Sequence, residues 1–237
     1  LKIYRDLVEK NPDAYLPELA TSCNNLATLL YNTGSFKEAE ELSRETLKIY
    51  RDLVEKNPDA YLSDLSDSCN NLAGLLCDTG SFREAEELYR EALKIRRELA
   101  EKSPDAYLPD LAISCNNLAY LLSDTGSSKE AKELYREALK SRRELAEKNP
   151  DAYLPSLADS CNNLACLLSD TGSSKEAEEL YQEALKIRRN LAEENPKVYL
   201  PKLQLVCDNL TALLEKTGRR EEADNLRREV AEFFKLQ

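Results

Sequence analysis

The sequence predicts an all-α fold, a right-handed solenoid of stacked antiparallel helical hairpins. Three observations carry that expectation. A pentapeptide, Ser22-Cys23-Asn24-Asn25-Leu26, returns as Ser68–Leu72, Ser114–Leu118 and Ser160–Leu164, and once more in decayed form as Val206-Cys207-Asp208-Asn209-Leu210, always at a step of 46 residues. Leu and Ala dominate, and a chain of 237 residues holds only 6 Gly and 9 Pro, which is a helix-forming composition. Within each unit the apolar residues recur at spacings of three and four, the stripe of an amphipathic helix. A repeat of this length marks an array whose neighbours share one continuous core.

The units divide the chain into one array: residues 1–10 as the tail of a truncated repeat, full repeats at 11–56, 57–102, 103–148 and 149–194, and a divergent last repeat or cap at 195–237. Leu1–Lys10 matches Leu47–Lys56 residue for residue. That opening, together with the absence of Met, leads us to expect a piece of a longer protein.

Each element follows from the unit 11–56. Asn11-Pro12-Asp13 reads as a turn with Asp13 as N-cap. Leu16, Leu19, Cys23, Leu26, Ala27 and Leu30 form the inward stripe of the first helix. Pro17 is tolerated only near a helix start, so the regular part is expected to begin close to it. Thr33-Gly34 ends that helix, with Gly34 suited to a left-handed C′ position. Ser35 and Glu38 read as a capping box, repeated as Ser81/Glu84, Ser127/Glu130 and Ser173/Glu176. The second helix points Phe36, Ala39, Leu42, Thr46, Ile49 and Leu53 inward over about 20 residues, roughly 30 Å.

Composition excludes several functions. A net charge of −11 argues against nucleic acid and anionic membrane surfaces as partners. No apolar run approaches the length of a membrane span. Five of the seven cysteines (Cys23, Cys69, Cys115, Cys161, Cys207) mark the repeat, while Cys77 and Cys166 stand elsewhere in it. Equivalent positions in stacked helical repeats lie roughly 10 Å apart. That is too far for a disulfide, so reduced thiols in a cytoplasmic, reducing compartment are expected. There is no His, no Gly-rich phosphate loop and no metal-ligand spacing, so neither a cofactor nor an enzymatic site is expected.

The series Cys23, Leu26, Ala27, Leu30, then Gly34, Phe36, Ala39, Ser43 and Thr46, with Phe82, Ala85, Tyr89 and Ala92 in the next unit, resembles the tetratricopeptide repeat. Cysteine replaces the leading aromatic, and the closing proline of the second helix is missing. The unit exceeds the usual 34 residues by about twelve, as in the long repeats of kinesin light chain and of microbial signalling arrays.

The resemblance implies a protein-interaction role, with the first helix of each hairpin lining a concave groove. By that alignment the groove carries Thr21, Asn24, Asn25, Thr28, Tyr31 and Asn32 in the first unit. Three of these positions change along the array: Thr21 becomes Asp67, Ile113, Asp159 and Leu205; Thr28 becomes Gly74, Tyr120, Cys166 and Ala212; Tyr31 becomes Cys77, Ser123, Ser169 and Glu215. Two readings fit, free drift of exposed positions or selection among ligands. Near-constant outer residues such as Glu41, Glu87, Glu133 and Glu179 speak against drift alone.

An asparagine amide can pair with both the N–H and the C=O of an extended peptide. The expected peptide contacts are therefore Asn24, Asn70, Asn116 and Asn162, then Asn25, Asn71, Asn117 and Asn163, with Thr28, Tyr31, Asp67, Tyr120 and Asp159 beside them. The competing role for one asparagine of each pair is to hold repeat to repeat. Asp67, Asp78, Asp124, Asp159, Asp170, Asp208 and Glu215 face only Lys216 among the aligned positions, so the expected partner is a neutral or basic peptide. A lysine- and arginine-built carboxylate clamp is excluded for these repeats. The alternative is a scaffold or an array that associates end to end with its own copies.

Overall fold

The computed structural model describes residues 1–236, and these form eleven α-helices. A short α1 (Lys2–Val8) leads into α2 (Pro12–Asn32), α3 (Phe36–Lys56), α4 (Pro58–Asp78), α5 (Phe82–Lys102) and α6 (Pro104–Asp124). Then come α7 (Ser128–Lys148), α8 (Pro150–Asp170), α9 (Ser174–Glu194), α10 (Pro196–Lys216) and α11 (Arg220–Leu236). The helices group into two compact units, one from Leu1 to Leu121 and one from Leu122 onward, the division falling inside α6. In each unit consecutive helices pack on one another, which makes the fold an all-α array of tetratricopeptide-type hairpins.

Asymmetric punctuation shapes the hairpin. A single non-helical residue, Asn57, separates α3 from α4, and Pro58 follows at the first helical position, where its missing N–H costs nothing. Asn11, Ser103, Asn149 and Asn195 precede Pro12, Pro104, Pro150 and Pro196 in the same way. The first helix of the unit therefore starts at Pro12, not near Pro17, and Asn11 rather than Asp13 is the N-cap. Pro17 lies inside α2, as Pro155 lies inside α8, close enough to the start that only one backbone bond is given up.

The other turn is a Schellman closure. Ser35 N–H donates to Leu30 C=O at 2.8 Å and Gly34 N–H to Tyr31 C=O at 3.0 Å, with Gly34 at φ +82°. The same six-to-one bond recurs at Ser81–Leu76, Ser127–Leu122, Ser173–Leu168 and Arg219–Leu214. The expected capping boxes do not form: the Ser35, Ser81, Ser127 and Ser173 side chains make no cap hydrogen bond, because the tight turn already orients the chain.

Small side chains sit where helices cross. Ala20, Ala39, Ala73, Ala85, Ala158, Ala165 and Ala177 are wholly buried, as are the five repeat-marking cysteines. Leu72, Leu76, Leu164 and Leu168 fill the layers between them. Phe36 departs from expectation: it stays exposed and meets the Tyr31 ring edge-on at 5.7 Å between centroids.

Outer faces are tied by an ion-pair ladder of constant offset. Arg5–Glu45, Arg44–Glu84 and Arg51–Glu91 close at 2.7, 2.5 and 2.6 Å in the first unit. Arg136–Glu176 and Arg143–Glu183 do so at 2.6 Å in the second. Each exposed pair contributes little, about 0–1 kcal/mol.

Two predictions follow from this packing. Gly80 stands at φ +85°, so Gly80→Ala should cost about 1–2 kcal/mol in urea unfolding; an unchanged midpoint would contradict the left-handed turn. Burial pushes the Cys69 and Cys161 thiols from 9.0 up to about 12, and Cys23 to about 11. Their contribution to stability is therefore full below pH 9 and lost as pH climbs toward 12. Unfolding free energy should be level from pH 7 to 8.5 and fall by pH 10.5, less steeply in a Cys69→Ala/Cys161→Ala variant.

Candidate functional site

The first unit holds a cavity of ≈ 320 Å³ on the face lined by the first helix of each hairpin. Six expected contacts come together there: Asn24, Thr28 and Tyr31 from α2, Asn70 and Asn71 from α4, and Asn117 from α6. Its floor was not foreseen. Ser43 of α3 and Tyr89 of α5 close it from the second-helix layer, and Gly74 leaves the gap through which Tyr89 is reached. Burial, and then the neighbouring Cys77, raise the Tyr89 phenol well above its ordinary range. At the rim the Tyr31 hydroxyl donates to the Asp78 carboxylate, which raises the Tyr31 pKa as well.

The paired asparagines divide their labour. Asn71 Nδ2 donates to Asn24 Oδ1 of the preceding repeat at 3.1 Å, and Asn209 Nδ2 to Asn162 Oδ1 at 2.9 Å. At these two junctions the second asparagine of one repeat thus grips the first asparagine of the repeat before it. Asn70 is buried: its Nδ2 donates to Ser66 C=O at 3.1 Å and Ser114 Oγ at 2.9 Å, and its Oδ1 has no hydrogen-bond partner. Asn25 is exposed; Asn116 and Asn163 are half-buried; Tyr120 is strongly exposed.

Asp67 and Asp159 are not free acids awaiting a ligand. Arg96 of α5, 4 % exposed, donates to Asp67, to Ser66 Oγ and Ser114 Oγ at 3.1 Å each, and to Asp110 C=O at 2.6 Å. In the second unit the buried Arg188 holds Asp159 and lies over the Tyr199 ring at 5.8 Å. Glu215 is likewise taken by Arg227 at 2.7 Å. The acidity expected of the face is thus partly neutralised by arginines on the second-helix layer, which an alignment of groove positions alone does not show.

The first repeat solves the same place differently, with Thr21 Oγ1 and Tyr50 Oη at 3.4 Å. A partial signal existed: Thr21 with Tyr50, Asp67 with Arg96 and Asp159 with Arg188 change together at a separation of 29 residues, although Ile113 keeps an arginine, Arg142, at that separation.

Residues 64–144 match the tetratricopeptide repeat family, as do residues 19–59 and 157–196. The chain belongs to the tetratricopeptide repeat family. The family's fold supports a protein–protein interaction or scaffold role, and its members are generally non-enzymatic. BtubC (BKLC) from P. vanneervenii is similar in structure, with a TM-score of 0.77 and 25% identity over 98% of this chain and 85% of that one. The nearly identical TPR-like repeats of a P. anserina kinesin light chain-like protein give 0.69 and 22% over 90% and 93%. YrrB, a TPR protein with an unusual peptide-binding site, gives 0.55 and 14% over 97% and 91%; at such identities the likeness is one of fold alone. No match is found among curated proteins. No helix among the described residues is long and apolar enough to cross a membrane.

The Asp67–Arg96 pair can be tested by exchange. Arg96→Met strands Asp67 and leaves Ser114 and Asp110 short of a donor, so it should cost about 2–3 kcal/mol in denaturant unfolding. Asp67→Thr/Arg96→Tyr, which imports the pair of the first repeat, should recover most of that loss. Equal destabilisation by both would refute the pairing.

Proposed function

We propose that this tetratricopeptide array is a protein-interaction module that holds an extended, neutral-to-basic peptide segment along the face formed by the first helices of its hairpins. One observation carries this reading. The ≈ 320 Å³ cavity of the first unit is walled by the residues expected to contact peptide, Asn24, Thr28, Tyr31, Asn70 and Asn71.

The chemistry suits a backbone. Asn24 and Asn71 use one hydrogen bond on each other, and each amide retains further capacity toward a peptide N–H or C=O. Apolar area for side chains comes from Ala27 and Leu75 beneath them. Asp78 stands at the rim, and no lysine or arginine lines the cavity among the described residues, which favours a neutral or cationic segment. A peptide site is also named for YrrB, a protein of this fold. Seven free thiols support a reducing, cytoplasmic setting.

Asn24→Ala/Asn71→Ala removes both partners of one exposed contact, so stability should change by less than about 1 kcal/mol. Affinity for a peptide selected from a random library should fall at least tenfold, read by fluorescence anisotropy. Unaltered affinity would sink the groove reading.

A further inference from the structure

Among the residues that line the cavity, Gly74 is the one with no side chain. Gly74 occupies the place taken by Thr28, Tyr120, Cys166 and Ala212 in the other repeats. It lies inside α4 with an ordinary helical backbone, where glycine costs about 1 kcal/mol relative to alanine. No steric demand accounts for that cost. A Cβ built on Gly74 meets only the Tyr89 hydroxyl, at 3.5 Å, an ordinary contact. In the second unit Cys166 fills the equivalent place, and its Sγ accepts from Tyr181 Oη at 3.3 Å and Asn209 Nδ2 at 3.6 Å. Tyr181 thus bonds the cysteine that fills this place, whereas Tyr89 has its cysteine neighbour at Cys77 and the place of Gly74 opens into the cavity.

What the opening offers is mainly hydrogen-bond acceptors. Asn70 lines it, is 7 % exposed, and has both donor protons committed to Ser66 C=O and Ser114 Oγ, leaving a buried Oδ1 without a partner. The Ser114 hydroxyl that fixes this orientation also accepts from Arg96, so the amide is held from behind by a buried guanidinium. Asp78 adds a full negative charge at the rim, oriented by the Tyr31 hydroxyl. A carboxylate at the mouth, a buried carbonyl oxygen within and aliphatic walls between match a long stem ending in a cationic donor.

We propose that the Gly74 gap is a specificity pocket for one lysine or arginine side chain of the bound peptide, and that it sets the register of that peptide on the first unit. The proposal rests on the peptide-binding reading above. Asn70 Oδ1 and the Asp78 carboxylate accept from the ammonium or guanidinium group, while Ala27, Leu75 and the Tyr89 ring pack on its stem. In the second unit the Cys166 thiol, held by Tyr181 and Asn209, stands in the equivalent place.

The test uses the full chain and four labelled nonapeptide pools, random except for a fixed central lysine, arginine, norleucine or glutamate. The wild-type chain should bind the lysine and arginine pools at least tenfold tighter than the norleucine pool, and the glutamate pool most weakly. Gly74→Cys should bring the cationic pools down to the norleucine level while leaving the norleucine pool within twofold. Gly74→Ala should raise the melting temperature, which separates a filled pocket from a damaged fold. Binding of all pools without a cationic preference, or a preference that survives Gly74→Cys, overturns the pocket and leaves the groove reading standing. Failure of every pool to bind the wild-type chain overturns both.

Discussion

Everything in each unit depends on how closely consecutive helices approach, and that approach is set by residues with almost no side chain. Ala39 and Ala85 on the second helices, with Ala20 and Ala73 on the first, are wholly buried at the crossings. Larger groups there would push the layers apart and cost the contacts of Leu72 and Leu76. Because the same small residues recur, hairpins within a unit meet in the same relation. The offsets of the polar contacts record this: 40 residues for the Arg–Glu ladder, 47 for Asn24–Asn71, Asn162–Asn209 and Tyr31–Asp78. None of these polar pairs sets the geometry alone. They are consistent with it, and each adds a little.

The buried arginine is where core and binding face are joined. Arg96 comes from the second-helix layer, crosses the hydrophobic interior and neutralises Asp67 at the face. A guanidinium so enclosed is tolerable only when its donors are used, and Ser66, Ser114, Asp110 and Asp67 use them. One serine of the repeated pentapeptide thereby acquires a role: Ser114 collects both Arg96 and Asn70. Through that shared hydroxyl the fold controls which way the Asn70 amide points, and therefore which of its atoms is left for a ligand.

Much of this was legible from the sequence, for reasons that differ by feature. Helix pairing and the burial of Cys23, Cys69, Cys115, Cys161 and Cys207 follow from periodicity, which local sequence carries directly. Gly34 and its equivalents were readable because only glycine takes positive φ cheaply. Helix starts were misplaced because Pro17 outweighed Pro12, although proline is favoured only at the first helical position. The capping boxes failed because a motif that suffices in an isolated helix is redundant beside a Schellman turn. The cavity could not be read at all from groove positions, since Ser43 and Tyr89 belong to the other helix layer and only the packing brings them to Gly74.

The variation along the array now separates into two kinds. Changes at Thr21, Asp67 and Asp159 are matched 29 residues later by Tyr50, Arg96 and Arg188, so internal pairing accounts for these three. Ile113 breaks the rule, since Arg142 stands 29 residues on with no acid at this position. The constancy of the outer glutamates is also a weaker contrast, since Glu45, Glu91 and Glu183 on the same face are held by ion pairs. Changes at Thr28, Gly74 and Cys166 answer to a different demand. A cysteine there completes a tyrosine's hydrogen bonding and a glycine leaves volume, at a cost to the helix that no neighbouring atom explains. Under the proposed pocket, the stability given up at Gly74 would be returned by the side chain that enters there.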